Sequence, residues 1–218
     1  MKWSNQAWKA AEPVYNEILN LPFIKELIQG TLSQEQFEFY IKQDALYLAE
    51  YGRILTAIAT KLDKPEHAAA FISFAANTMQ VERALHQTFV RTLNKLDNAI
   101  LPSPSCLLYT SYLSRQVALS SIEVTLGAVL PCFWIYKKVG DYILENQTKD
   151  NNPYQSWIDT YGGEEFNQSV EMAIKICDEL AENSSESTRK KMTQAYIMCS
   201  KMEWLFWHSA YKQEQWLI

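Results

Sequence analysis

The chain has 218 residues, 48% hydrophobic and 21% charged, with a formal net charge of -5, a balance typical of a soluble globular protein able to bury a core without covalent staples. Its densest basic cluster, Arg189-Lys190-Lys191, is too small to grip a phosphate backbone, which argues against nucleic acid as a partner. No apolar run reaches the roughly 20 residues of a membrane span.

Met1-Lys2-Trp3-Ser4-Asn5-Gln6 lacks the apolar core of a signal peptide. The four cysteines, Cys106, Cys132, Cys177 and Cys199, are widely spaced and match neither a disulfide framework nor zinc-ligand spacing. The expectation is a reducing, cytoplasmic location.

Apolar residues recur at helical spacing along nearly the whole chain, and only six glycines interrupt it. Ser4 is expected to cap a first helix ending near Asn20, and a short helix follows from Pro22 to Gln29, where Gly30 breaks the chain. Ser33 with Gln36 reads as a capping box opening a long helix that carries Phe37, Tyr40, Ile41, Asp44, Tyr47, Leu48 and Tyr51. Asp63-Lys64-Pro65 ends it and starts the next, which reaches about Leu96. After the loop Leu101-Pro102-Ser103-Pro104, a helix spans about Cys106 to Ala118. Ser120 with Glu123 reads as a second capping box, before a proline-containing helix to about Glu145. Thr148 to Asn152 is polar linker. A short helix covers Tyr154 to Tyr161, and Gly162-Gly163 turns the chain into a helix to Ala181. Asn183 to Ser185 precedes a last helix over about Glu186 to Gln213. This is a single all-α domain, 1–218, of long antiparallel helices.

Cys132 follows directly on Pro131 in the run Ala128-Val129-Leu130-Pro131-Cys132-Phe133-Trp134-Ile135-Tyr136. Proline has no N–H for the Gly127 carbonyl and disturbs the helix there. A thiol beside such a break, one turn from Tyr136, could be a nucleophile in an aromatic pocket. Taken alone, it reads first as a small core residue. Two acids stand on otherwise apolar faces: Asp44 among Tyr40, Tyr47, Leu48 and Tyr51, and Glu203 within Met202-Glu203-Trp204-Leu205-Phe206-Trp207. Each must be paired, protonated or ligand-bound if buried, or else turned to solvent or tied to a tyrosine. Burial would raise its pKa and suit it to general acid work. The 12 tyrosines, 9 phenylalanines and 7 tryptophans mostly serve packing. Those near Asp44, Tyr112, Cys132, Tyr136, Tyr161 and Glu203 could sandwich a flat heterocycle. A metal centre fits poorly. Glu82 and His86 share a face, but only His67 and His208 remain as further histidines, and a di-iron bundle needs more.

The segments Phe39-Tyr40-Ile41-Lys42-Gln43-Asp44-Ala45-Leu46-Tyr47-Leu48, Tyr109-Thr110-Ser111-Tyr112-Leu113 and Leu130-Pro131-Cys132-Phe133-Trp134-Ile135-Tyr136 resemble the TenA (thiaminase II) family. So do Trp157-Ile158-Asp159-Thr160-Tyr161-Gly162-Gly163, Asp178-Glu179-Leu180-Ala181 and Glu203-Trp204-Leu205-Phe206-Trp207-His208-Ser209-Ala210-Tyr211. The resemblance implies a haem-oxygenase-like helical bundle that binds no haem, assembled as a homotetramer. It implies hydrolysis of aminopyrimidines in thiamine salvage: 4-amino-5-aminomethyl-2-methylpyrimidine, and thiamine as well, would yield the hydroxymethyl pyrimidine without cofactor or metal. Cys132 would be the nucleophile and Glu203 the acid. Asp44 would recognise the amino edge, and Tyr47 and Tyr136 would flank the ring. Tyr112 would hydrogen-bond near the thiol or Glu203, and Tyr161 would contact a ring nitrogen; Glu82 and His86 are left structural. The other reading is a non-catalytic pyrimidine-binding or regulatory protein of the same fold. A low-pKa Cys132, alkylated faster than the other three cysteines, would favour the enzyme.

Overall fold

The computed structural model describes residues 1–90, 101–147 and 152–217, with side chains left aside at 81–90, 162 and 165. Among these residues there are nine helices and no strand: α1 Trp3–Leu19, α2 Pro22–Gln29, α3 Gln34–Ala59, α4 Pro65–Val90, α5 Pro104–Leu119, α6 Ile122–Asn146, α7 Gln155–Gly162, α8 Glu164–Glu182 and α9 Glu186–Lys212. The expected helix end near Leu96, most of the expected linker and the side chains of Glu82 and His86 lie outside the described residues.

The boundaries follow from local chemistry. Pro22, Pro65 and Pro104 open their helices, where a missing N–H costs nothing. Ser33, Ser103 and Ser185 accept from the backbone N–H of Gln36, Cys106 and Thr188, each satisfying an orphan donor. Gly30 closes α2 at φ 64, a left-handed conformation that suits glycine.

Three caps differ from expectation. Gln36 does not complete a capping box, because its amide accepts from Ser33 Oγ and donates to the Tyr211 carbonyl. Ser4 lies inside α1, which begins after Lys2, and its N–H and hydroxyl both donate to Asp178 at 2.8 Å. Ser121, not Ser120, precedes α6. Ser120 ends α5 and turns its hydroxyl to Gln116.

The long helices bury one contiguous core drawn from α1 through α9. α3 lies along α4, while α6 lies against α9 and α8; α5 bridges α3, α6 and α9. Gly127 lets α6 approach α9 closely, since a Cβ there would stand 2.7 Å from the Met192 carbonyl oxygen. Helix α6 runs without interruption through Pro131. The start of α5 is fastened by Gln43, which donates to Leu101 O and accepts from Ser103 N–H. The C-terminal residues help: Glu214 accepts from Ser105 N–H and Trp216 donates to Pro102 O. These ties fix the register in which α5 presents its tyrosines to α9.

Candidate active site

Five helices contribute to one buried cluster. From α3, Tyr40, Asp44, Tyr47 and Tyr51 recur at spacings of four, three and four, so they form a single stripe. All four are buried to 2% exposure or less. From α6, the turn after Pro131 supplies Cys132 and Tyr136; α7 supplies Trp157 and Tyr161; α9 supplies Glu203, Phe206 and Trp207. α5 supplies Tyr109, whose hydroxyl donates to Glu203 Oε1 at 2.7 Å.

Aromatic rings build the walls. Tyr47 stacks on Tyr51 at 5.4 Å and leans on Tyr109 at 4.9 Å and Phe206 at 5.6 Å. Tyr136 packs between Tyr161 at 4.9 Å and Trp207 at 4.8 Å, and the Tyr40 hydroxyl donates to the Tyr136 hydroxyl at 3.2 Å. Asp44 lies against the Tyr161 hydroxyl, and the Cys132 thiol against the hydroxyls of Tyr47 and Tyr51.

The polar groups inside this cage are under-supplied with partners. Among the described residues, Asp44 Oδ2, the Tyr47 hydroxyl and the indole N–H groups of Trp157 and Trp207 are buried without a well-formed hydrogen bond. Each such group costs about 1–3 kcal/mol, which core packing alone gives no reason to bear. Together they offer an acceptor edge and several donors to a flat polar ligand.

The electrostatics follow from the same burial. Desolvation pushes the Asp44 carboxyl up to about 7, against a smaller opposing pull from the Tyr161 hydroxyl. It pushes Glu203 up to about 8, with the Tyr109 hydrogen bond opposing and the Asp44 charge adding. Both acids therefore titrate near neutrality, as proton-transfer groups must. Burial, and secondarily Glu203, also raise the Cys132 thiol well above its ordinary value, while Tyr47 and Tyr51 pull it down. The expectation of a low-pKa Cys132 is thus corrected. In this protein the resting group is a neutral thiol.

Asp44, Tyr47, Cys132, Tyr136, Tyr161 and Glu203, all singled out in the sequence, share the cluster. Among the described residues Tyr112 makes no hydrogen bond to the thiol or to Glu203, whose hydroxyl partner is Tyr109. It is half-buried and responds electrostatically to Cys199 and Arg115, and the hydroxyl expected from it is supplied by Tyr109. The two lie three residues apart on α5 and are neighbours on it, but Tyr109 is turned fully into the core while Tyr112 sits at its edge. Tyr40, Tyr51 and Tyr109 are the residues that sequence reasoning left without a role, although the first two stand on the Asp44 stripe.

Of the other cysteines, Cys106 donates to Gln43 O and is pushed up to about 12 by burial, and Cys177 points at Leu126 O. All four are unpaired and buried. Among the described residues no group of three or more His, Cys, Asp or Glu is disposed to hold a metal ion, and no helix is long and apolar enough to cross a membrane.

A bundle of this topology enclosing an acid–thiol–acid cage defines a class. Residues 8–213 match the TENA/THI-4/PQQC family, and the chain belongs to it. It is 36% identical over 220 residues to the aminopyrimidine aminohydrolase of Bacillus subtilis (strain 168), covering 99% of this chain and 92% of that one. A TenA homologue from P. horikoshii OT3 superposes with a TM-score of 0.83 at 27% identity, over 97% of this chain and 99% of that one. A domain from Shewanella denitrificans OS217 described as having a heme oxygenase-like fold superposes with a TM-score of 0.76 at 14% identity, over 98% and 93% of the two chains. The fold is the haem-oxygenase-like all-α bundle.

Proposed function

We propose that this protein is an aminopyrimidine aminohydrolase, a hydrolase of carbon–nitrogen bonds that works by covalent cysteine catalysis. The substrate we assign is 4-amino-5-aminomethyl-2-methylpyrimidine, with thiamine as a second substrate, and the product is 4-amino-5-hydroxymethyl-2-methylpyrimidine. The observation that carries the reading is the enclosure of Cys132 with two carboxyls, Asp44 and Glu203, both shifted to near-neutral pKa values inside an aromatic cage. The Bacillus subtilis relative is an aminopyrimidine aminohydrolase by name, which supports the same class of reaction here.

The chemistry suits a neutral thiol. Direct displacement at the exocyclic methylene is slow, so the ring is first made electron-rich. Cys132 sulfur bonds to ring carbon C6, and Glu203, protonated below about 8, delivers its proton to the adjacent ring nitrogen. The resulting carboxylate takes the thiol proton, so S–H adds across the C=N bond and no lasting thiolate is required. The ring electrons then expel ammonia from the protonated aminomethyl group, and water adds to the exocyclic methylene and gives its spare proton to the departing ammonia. The C–S bond breaks as Glu203 returns its proton to sulfur and takes back the one on the ring nitrogen, restoring aromaticity. Ammonia and the alcohol are the products. Asp44 accepts from the exocyclic amino group, Tyr136 and Tyr47 hold the ring faces, and Tyr161 and Tyr109 orient Asp44 and Glu203.

We further infer self-association as a homotetramer. Leu107, Leu108 and Leu119 along α5 are 41–74% exposed, an apolar surface that assembly would cover. Sedimentation at several concentrations tests this, and a monomer at all of them contradicts it. The four unpaired thiols favour a reducing compartment such as the cytoplasm.

The function is tested by incubating purified protein with the aminomethyl pyrimidine and measuring ammonia and the hydroxymethyl product. Stoichiometric release of both is the expected result. Thermal stabilisation by the pyrimidine without any product would replace this reading with that of a binding protein.

A further inference from the structure

We propose that Tyr51 is a positioning residue for the Cys132 nucleophile, gripping the turn of α6 that holds Pro131 and facing the sulfur with the same hydroxyl. The inference rests on the assignment of Cys132 as nucleophile and adds to it a device that holds the thiol in place.

Pro131 has no N–H, so the Gly127 carbonyl lacks its helical donor and α6 is missing one rung just before Cys132. Such a turn shifts easily unless its neighbours fix it. Here it is held from two sides. On one, Gly127 rests on the backbone of Met192, with room for no Cβ. On the other, the buried Tyr51 hydroxyl reaches across from α3 and donates to the Val129 carbonyl at 2.8 Å.

The ring that carries this hydroxyl is itself fixed. It stacks on Tyr47 with 19° between the planes, and Phe133 packs on it at 5.9 Å. Tyr47 and Tyr51 are four residues apart on α3, so their hydroxyls emerge side by side, and both lie against the Cys132 thiol. Their duties differ. Among the described residues the Tyr47 hydroxyl has no other acceptor. The single Tyr51 proton sits on the Val129 carbonyl while the thiol is neutral, and it turns toward sulfur as negative charge develops there. Loss of the hydroxyl therefore loosens the turn and removes a donor from the thiolate.

The test is Tyr51→Phe in the full-length protein, with iodoacetamide alkylation of the Cys132 peptide followed by mass spectrometry across pH. Because the thiolate is the reacting form, alkylation at fixed pH is expected to slow about tenfold, roughly one charge-assisted hydrogen bond. The kcat on the aminomethyl pyrimidine falls by a similar factor, with KM within about twofold. A residue with only a packing role leaves alkylation unchanged or speeds it by loosening the cage, and either result overturns the proposal.

If Tyr51→Phe does not fold, 3-fluorotyrosine at position 51 decides. Its more acidic phenol is a better donor and is expected to speed Cys132 alkylation, and an unchanged rate overturns the proposal. Alkylation requires no substrate. An absence of aminohydrolase turnover would therefore be distinguished from a failure of the Tyr51 assignment.

Discussion

Asp178 and Asp44 are carboxylates of the same kind, both almost fully buried between helices, yet their surroundings are built in opposite ways. Asp178 receives the Ser4 N–H on one oxygen and the Ser4 hydroxyl on the other, with the Lys2 ammonium 3.9 Å away. It ties α1 to α8 and has no donor wanting. Among the described residues, Asp44 keeps one oxygen without any donor, and Glu203 has a single tyrosine on one oxygen. Burial that is not offset by hydrogen bonds moves a carboxyl toward neutrality, so the region that sacrifices stability is the one that gains acids able to exchange protons at physiological pH. A saturated acid is a fastener, and an under-supplied pair of acids beside a thiol is a reaction centre.

The largest effects that sharpen this contrast belong to the under-supplied region. Cys132→Ala is expected to lower turnover at least ~1000-fold, and Glu203→Gln at least ~100-fold, the scale on which nucleophilic and general acid help are lost. Product assays on both variants check this, with circular dichroism showing the helical fold retained. A fall of only a few-fold for Glu203→Gln would make that residue peripheral.

Tyr109→Phe is expected to cost about tenfold by freeing Glu203 from its one hydrogen bond. Tyr112→Phe should stay within twofold, and steady-state kinetics of the two side by side test that Tyr109, not Tyr112, supplies the hydroxyl to Glu203.

The pH dependence comes next. Asp44 must be ionised to accept the amino group and Glu203 protonated to act as acid. The value of kcat/KM therefore rises through about 7 and falls above about 8, the apparent values belonging to the coupled pair. Stability carries the opposite information. Both acids titrate higher in the folded chain than in ordinary peptides, so the folded chain binds protons that the unfolded chain has released. Their contribution makes the ligand-free fold most stable on the acid side and weakens it as pH rises toward 7 and 8, by up to ~1.4 kcal/mol per pH unit for each group. Urea unfolding at pH 6 and pH 8.5 measures this, and Asp44→Asn should flatten the slope.

The smallest effect on activity is expected in the saturated region. Asp178→Ala should leave kcat and KM within twofold while costing about 1–3 kcal/mol of stability through the stranded Ser4 N–H. Lost activity with unchanged stability would break the contrast.

Much of this was legible in residues alone, for identifiable reasons. Helix starts at Pro22, Pro65 and Pro104 and the break at Gly30 are dictated by backbone chemistry. The stripe Asp44–Tyr47–Tyr51 is visible because helical spacing is regular. The caps at Ser4 and Ser120 are not legible from spacing, because a serine hydroxyl caps a helix only if no better partner arrives, and Asp178 and Gln116 are tertiary or local partners that spacing does not reveal. Tyr109 and Tyr112 were indistinguishable in sequence because their roles depend on how α5 is rotated, and that rotation is fixed by Gln43, Glu214 and Trp216 from distant parts of the chain. The raised thiol was likewise hidden. It depends on burial and on Glu203, which is 71 positions from Cys132 in the chain.

The most direct measurement is partial alkylation, with residual aminohydrolase activity plotted against the fraction of each cysteine modified. Activity should fall in a straight line to zero as Cys132 alone approaches full modification, and the hydroxymethyl pyrimidine should protect both together. Turnover that survives complete modification of Cys132, or that vanishes while Cys132 is intact, would contradict the assignment of this thiol as the nucleophile.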